Sequence, residues 1–385
     1  MPKKRILTTH AGSLPRPAKL VELYAKRARG EAIDKHELVR EGEAATSWVV
    51  DQQRNAGIDI PSDGEQLREA FFLYVQRRMT GFSGKWKRPH GDELAAYPEY
   101  ADLRRRQIAN DQSVSNFNPP MATGAVTYAN REENEAELET FAAALNQSGA
   151  DFSDAFMTAP SPGIVAAAMK NEFYPDDDAY LEALAEALQI EYEAAHRHGY
   201  LLQIDAPDLA LERHLSFANR SVSDFVKFVE RVIQSINRAV TNIPRDRIRL
   251  HVCWGNYESP HDKDIALEEI LPAILEADVG AFLLPFANPR HQHEIKLFRD
   301  IPLGANQSLI VGVIDTLTNF VEHPEVVADR LERAAEMLGD PTRIQAGTDC
   351  GFDTSAGMGR VTADVVWAKL RVMKEGAQIA SDRLF

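Results

Sequence analysis

Short runs of apolar, often β-branched residues recur along the chain, each ending in Gly, Pro or polar residues and each followed by a longer stretch of helical spacing. The runs fall at 6–9, 58–62, 155–158, 201–204, 248–252, 280–286, 309–314 and 344–347, and each reads as a strand. Stretches between them, such as 180–197 and 222–239, repeat apolar residues at helical intervals and are long enough to be crossover helices. Strands alternating with helices in this way predict an α/β fold with a parallel sheet.

A doubly wound open sheet would carry the same alternation. Two features favour a (β/α)8 TIM barrel instead. Nearly every run ends in a polar, chemically capable residue, as barrels require because they collect their active site from several strand ends. No GxGxxG or Walker sequence is present. The length of 385 residues suits one barrel of roughly 250 residues with insertions, so 1–385 is expected to be a single domain. The stretch 84–130 fits neither period. It is polar at 85–90 and helical and basic around 103–108, then runs through Pro119 and Pro120 into a short run at 124–128. It is expected to be an insertion after the second strand, a hairpin and lid over the barrel mouth. The acidic runs 132–139 and 176–178 read as solvated helix surface and N-terminal capping.

Charge narrows the partners. A net charge of −15 argues against nucleic acid and against an anionic membrane surface, since the long-range field repels polyanions. The basic start, Lys3-Lys4-Arg5, lacks the apolar core of a signal peptide, and no apolar run approaches the roughly 20 residues that span a bilayer. The expectation is a cytoplasmic protein acting on small molecules, for which a homo-oligomer is compatible.

There are two cysteines, too few for a disulfide scaffold in a chain of this length. Their placement is informative. His251 and Cys253 are two residues apart at the end of a strand run, so both point to one face, the barrel interior if Leu250 and Val252 face the helices. Cys350 follows another run, in Thr348-Asp349-Cys350-Gly351. Any one of them alone is more simply a core residue. Together, three N/S donors with an open position match a catalytic zinc site.

Beyond this pair of signals, the chain resembles the cobalamin-independent methionine synthases, specifically their C-terminal catalytic barrel, and shorter relatives such as the epoxyalkane:coenzyme M transferases. The resemblance spans nearly the whole chain. It rests on Thr8-Thr9-His10-Ala11-Gly12-Ser13-Leu14-Pro15, Asp63-Gly64-Glu65, Gln203-Ile204-Asp205-Ala206-Pro207, His251-Val252-Cys253, Gly312-Val313-Ile314-Asp315 and Asp349-Cys350-Gly351. It implies zinc held by His251, Cys253 and Cys350, and an amino acid thiol, homocysteine, gripped by Gly12, Ser13, Glu65 and Asp205. Asp63, Asp205 and Ser13 could equally cap the helices and turns that follow them.

The chain also departs from the family. Pro285 stands at the place of the family's glutamate ligand, and His291, His293 or Glu294 could replace it only if their loop folded back, so three protein ligands are expected. Leu317 replaces the family's catalytic histidine, and Ala166 replaces the tryptophan that carries the folate ring; Trp254 and Phe117 are the other aromatic candidates. The amino-terminal half of full-length methionine synthases has no counterpart in this sequence. Asp315 and Asp349 are the acids nearest the expected site and the candidates for protonating a leaving group. The resemblance therefore implies a zinc-dependent S-methyltransferase with a small-molecule thiol and an alkyl donor. Alkyl transfer to another thiol, such as coenzyme M opening an epoxide, and a zinc-bound binding protein without activity are the alternatives.

Overall fold

The alternation of apolar runs and amphipathic stretches is realised as a six-stranded, all-parallel sheet in the computed structural model, which describes residues 4–88, 92–108, 114 and 118–385. In chain order the strands are β1 (Phe82–Ser83), β2 (Met121–Ala122), β3 (Phe156–Pro160), β4 (Leu201–Asp205), β5 (Ile248–His251), β6 (Ala281–Pro285), β7 (Ser308–Ile314) and β8 (Ile344–Thr348). The parallel sheet runs β3-β4-β5-β6-β7-β8, each neighbour separated from the last by a crossover. Both faces of these strands are covered, so β3 and β5 are buried at every position, as near-continuous apolar runs in parallel sheets require. Register sets Pro160 opposite Asp205, Asp205 opposite His251, and Ile314 opposite Thr348, which brings the carboxyl ends of the strands to one level.

The first two expected strands are not ladder-paired. Residues 7–9 run beside β8, with Thr9 N–H donating to Ala346 O (2.9 Å) and Ala346 N–H to Leu7 O (2.9 Å). On the other side of that segment, Asp59 and Ile60 N–H donate to Thr8 O, both at 3.1 Å, and Phe156 N–H at the head of β3 donates to Pro61 O (2.9 Å). The physical reason for the missing ladder is Asp59, whose carboxylate accepts both the N–H and the hydroxyl of Thr8 and so replaces backbone pairing.

The helices follow their caps. Val222–Ala239 begins where Ser221 accepts the Asp224 N–H, and it buries Phe225, Val229, Val232 and Ile236 at helical intervals. Asp177–Arg197 starts upstream of its apolar stripe because Asp176 caps the Ala179 N–H, so this acidic run is a cap. The expected insertion, 84–130, contains a helix over Pro98–Ile108 and is tied to the residues just before it, since β2 pairs antiparallel with β1 and Tyr128 bridges Met79. Among the described residues no helix is long and apolar enough to cross a membrane.

A buried ionic cluster anchors the segment that follows Glu65. Arg68 and Arg78 both donate to Glu137 at 2.8 Å, and their guanidinium carbons lie 4.3 and 4.6 Å from the Tyr74 ring centre. Tyr74 and Tyr128 donate to Glu191. Arg68 also donates to Thr158 O of β3 (2.7 Å). Burial penalises the Glu137 carboxylate, yet the two guanidinium groups outweigh it and hold Glu137 at about 2. Removing one partner of such a cluster leaves buried charge unpaired. Glu137→Ala is expected to cost about 3–5 kcal/mol in chemical denaturation. In the unaltered protein the contribution, present above the ordinary carboxylate range, is lost as pH falls towards 2. A loss below about 1 kcal/mol would show that the cluster relaxes around the gap.

Candidate metal centre

Alternation along β5 sends Leu250 and Val252 into the main hydrophobic core and His251 and Cys253 to the opposite side. There they meet Cys350, two residues beyond the end of β8. One donor atom from each of His251, Cys253 and Cys350 lies within 4.8 Å of the others, and all three residues are buried. Among the described residues this is the group of histidine, cysteine and carboxylate side chains so placed that it could hold a metal.

Electrostatics agree with a cation-binding set. The Cys253 thiol is held well below its ordinary value because Cys350 donates a hydrogen bond to it and His251 lies beside it, while Cys350, as the donor, is pushed up. Burial alone would lower His251, but the Cys253 thiolate and Asp205 overcome it and push His251 up to about 10. A metal bound by these three side chains would displace the protons they share. The donor set, one imidazole and two sulfurs, is that of borderline-soft zinc.

Asp205 follows from register, since it sits opposite His251 on β4 and accepts from His251 Nδ1 at 3.0 Å. A carboxylate fixing a ligating imidazole is the usual support of such a centre. Beneath it lies a polar layer that the sequence motifs did not single out as functional. Gln203 donates to Asp205 (2.7 Å) and accepts from Arg249 (2.8 Å), and the Arg249 guanidinium lies 3.5 Å from the Phe156 ring centre. Arg249 was findable, because a charged residue two positions before His251 must share its face.

Ser13, Glu65, Asp205, His251, Cys253 and Cys350 line one cavity of about 80 Å³, together with Phe71, Pro207, Leu211, Asn256 and Thr354. Gly12, expected beside Ser13 at the substrate, is not among the lining residues and instead packs against Glu65 and Thr158. With φ +124°, and with an added Cβ falling 2.8 Å from Glu65 Oε1 and 2.6 Å from Thr158 Cγ2, only glycine fits there. Gly351 is also closely packed, since a Cβ would fall 2.0 Å from Ser13 Oγ. Glu65 itself occupies the left-handed region at φ 58°, a strained backbone held by Arg16 donating to its carbonyl (2.8 Å) and by Asp63 accepting its N–H (3.0 Å). Burial, reinforced by the Asp205 charge, pushes Glu65 up to about 8. Its Oε1 accepts from Thr158, and its Oε2 has no hydrogen-bond partner among the described residues.

The two acids expected near a leaving group are turned elsewhere. Asp349 accepts from the Ala287 N–H, the Asn288 N–H and the Asn288 side chain. Asp315 accepts from the Leu317 and Thr318 N–H groups. Neither lines the cavity. Pro285 closes β6 opposite Gly312, and the loop after it does not fold back to the sulfurs. Instead His291 bonds to Asp264 (2.9 Å) and Glu294 (2.7 Å) and stacks on Trp254 with ring centres 3.8 Å apart. Trp254 is thereby buried and offers no free face, and Phe117 lies outside the described residues.

Residues 90–378 match the model of the cobalamin-independent synthase catalytic domain. The chain belongs to that family. Among curated relatives, methionine synthase from Pyrococcus furiosus is 27% identical over 348 residues, covering 90% of this chain and 86% of that one. Methionine synthase from Thermococcus kodakarensis is 26% identical over 380 residues, covering 98% and 94%. The fold is similar to that of the B12-independent methionine synthase of Shewanella sp. W3-18-1, solved with selenomethionine, at a TM-score of 0.72 and 20% identity over 99% of each chain. A putative B12-independent methionine synthase from Listeria monocytogenes matches at a TM-score of 0.65 and 19% identity, covering 98% and 99%.

Proposed function

We propose that the protein is a zinc-dependent S-methyltransferase that makes methionine from homocysteine. The observation that carries this reading is one cavity in which the His251, Cys253 and Cys350 donors stand beside the paired carboxylates of Glu65 and Asp205. Family membership and the relatives named methionine synthase support it. We also read residues 1–385 as one (β/α)8 barrel, since backbone hydrogen bonds run from β8 through 7–9 and 59–61 to β3. Residues 84–130 are read as its lid. Arg88 pairs with Glu212 in the short helical turns after β4, while Tyr97 donates to Asp262 and Tyr100 to Glu258 O in the connection after β5.

When bound, zinc supplies acidity to a substrate thiol, converting a group that titrates near 8.5 into a thiolate at neutral pH. The chain does the rest. His251, Cys253 and Cys350 would hold the ion, and Asp205 fixes the His251 ring and its tautomer. Glu65, with an unpartnered buried oxygen, and Asp205 receive the substrate ammonium, while Ser13 lines the cavity beside them and Gly12 leaves room for the Glu65 carboxylate.

The test contrasts two thiols. Asp205→Asn is expected to weaken homocysteine at least about tenfold more than 2-mercaptoethanesulfonate in calorimetric titration, because only homocysteine brings an ammonium. Equal loss for both would reduce Asp205 to a support for His251 and remove the amino acid grip.

A further inference from the structure

We propose that Asn256 is a positioning residue for the metal centre, tying the strand end that bears His251 and Cys253 to the loop that bears Cys350. This rests on the reading of those three side chains as metal donors and adds what holds them in place. His251 and Cys253 stand together without outside help, because they share one strand end and alternation aims both at one side. Cys350 is different. It follows β8, and β6 and β7 lie between β8 and β5 in the sheet, so no ladder hydrogen bond sets its distance from the other two donors. Loop contacts set it.

Asn256, three residues beyond Cys253, makes such a contact. Its amide nitrogen donates to Gly351 O at 2.7 Å, beside Cys350, and its amide oxygen accepts from the Thr316 hydroxyl at 3.1 Å. The turn that brings it there passes through Gly255 at φ +103°, where glycine is favoured, and the Gly255 N–H donates to the Cys253 sulfur. The amide has one working orientation. A carbonyl oxygen only accepts, so the nitrogen faces Gly351 and the oxygen faces Thr316. His251 Nε2 also crosses the gap, to Asp349 O at 3.3 Å, but that contact occupies the ring nitrogen that Asp205 leaves for a metal. The bonds of Asn256 use no donor atom.

The far side of this brace is firmly built. Thr316 is buried, and its turn is closed by Asp315, which accepts from the Leu317 and Thr318 N–H groups. The Asp315 N–H donates to Glu322, whose carboxylate is paired with the buried Lys369 at 2.9 and 3.0 Å. Asp315 therefore shapes the turn whose hydroxyl holds Asn256. On the other flank the Phe352 N–H donates to Ser13 O at 2.8 Å, so the Cys350 loop is pinned from both sides.

Metal affinity, measured by competition with a chromophoric chelator, tests the brace. Zinc is expected to bind about tenfold or more weakly in Asn256→Ala and in Asn256→Asp, whose carboxylate keeps the shape and cannot donate to Gly351 O. Thr316→Val is expected to lose about threefold, and Thr316→Ser to match the unaltered protein. Thr316 lies on another loop, so this pair decides the matter even where a change at Asn256 disturbs folding. Glu258→Gln, which alters an exposed contact of the same loop with Arg360, is the control and keeps full affinity. Cobalt bound at saturation in place of zinc is expected to show shifted d–d absorption in Asn256→Asp, a sign of altered donor geometry that reduced fold stability alone does not produce. Unchanged zinc affinity and an unchanged cobalt spectrum in Asn256→Asp overturn the inference and leave the metal centre standing. An unaltered protein that binds no zinc overturns the metal centre and the brace together.

Discussion

Cys350→Ser is expected to remove zinc from the purified protein and to reduce methyl transfer by about 10³-fold or more, with the fold intact. The loss combines two effects. A metal-free thiol at neutral pH is only a few per cent thiolate, and an unanchored sulfur also forfeits the orientation that can contribute several kcal/mol. The serine is close to isosteric, and Cys350 sits past the end of β8, lining the cavity with Ser13 and the other two donors. Cys253→Ser is expected to behave alike. Elemental analysis beside circular dichroism decides it. Equal zinc in the unaltered protein and in both variants would place the metal elsewhere, and a lost dichroism spectrum in both would make the trio structural.

Much of this site is legible in the sequence because alternation is a strong constraint. His251 and Cys253 must share a face, and Leu250 and Val252 must take the other, as the core confirms. Six of the eight expected strands pair as ladders within a few residues of their expected bounds. The first two differ because a side chain, that of Asp59, competes for the backbone donor of Thr8, and no periodicity reveals such a competition. Helix starts were recoverable where a capping side chain stands in the sequence, as at Ser221 and Asp176.

What stayed hidden is where long side chains end. The sequence brings Asp349 to the residue before Cys350, yet backbone geometry turns its carboxylate towards Ala287 and Asn288. Proximity along the chain thus fails as a guide to proximity of acids. Phe71 gave no signal, because it reaches the cavity from a segment without regular period, six residues past Glu65. That segment is placed by Arg68 and Arg78 gathered on Glu137, a contact across 69 positions of sequence.

Methionine binding is expected to release close to one proton at pH 7, and Glu65→Gln is expected to abolish that release while weakening binding by about 10²-fold, the scale of a buried charged partner removed. In the free protein Glu65 is buried beside the Asp205 charge and is pushed up from 4.5 to about 8, so at pH 7 it keeps its proton. An incoming ammonium reverses the balance, since it compensates both carboxylates, and the proton leaves. Affinity should therefore rise with pH, by at most about tenfold per unit, between pH 6 and 8, and flatten above. Methionine is the right probe because it lacks a thiol and contributes no second proton. The same shift has a signature in stability. A group whose folded value exceeds its unfolded value binds more protons when folded, so Glu65 makes the unliganded fold less stable as pH rises from 4.5 towards 8. Bound methionine removes that penalty, and its thermal stabilisation should be larger at pH 8 than at pH 6. Calorimetry in two buffers of different ionisation enthalpy counts the proton. A pH-independent affinity with no proton released would show that Glu65 is already ionised in the free site and that the ammonium binds elsewhere.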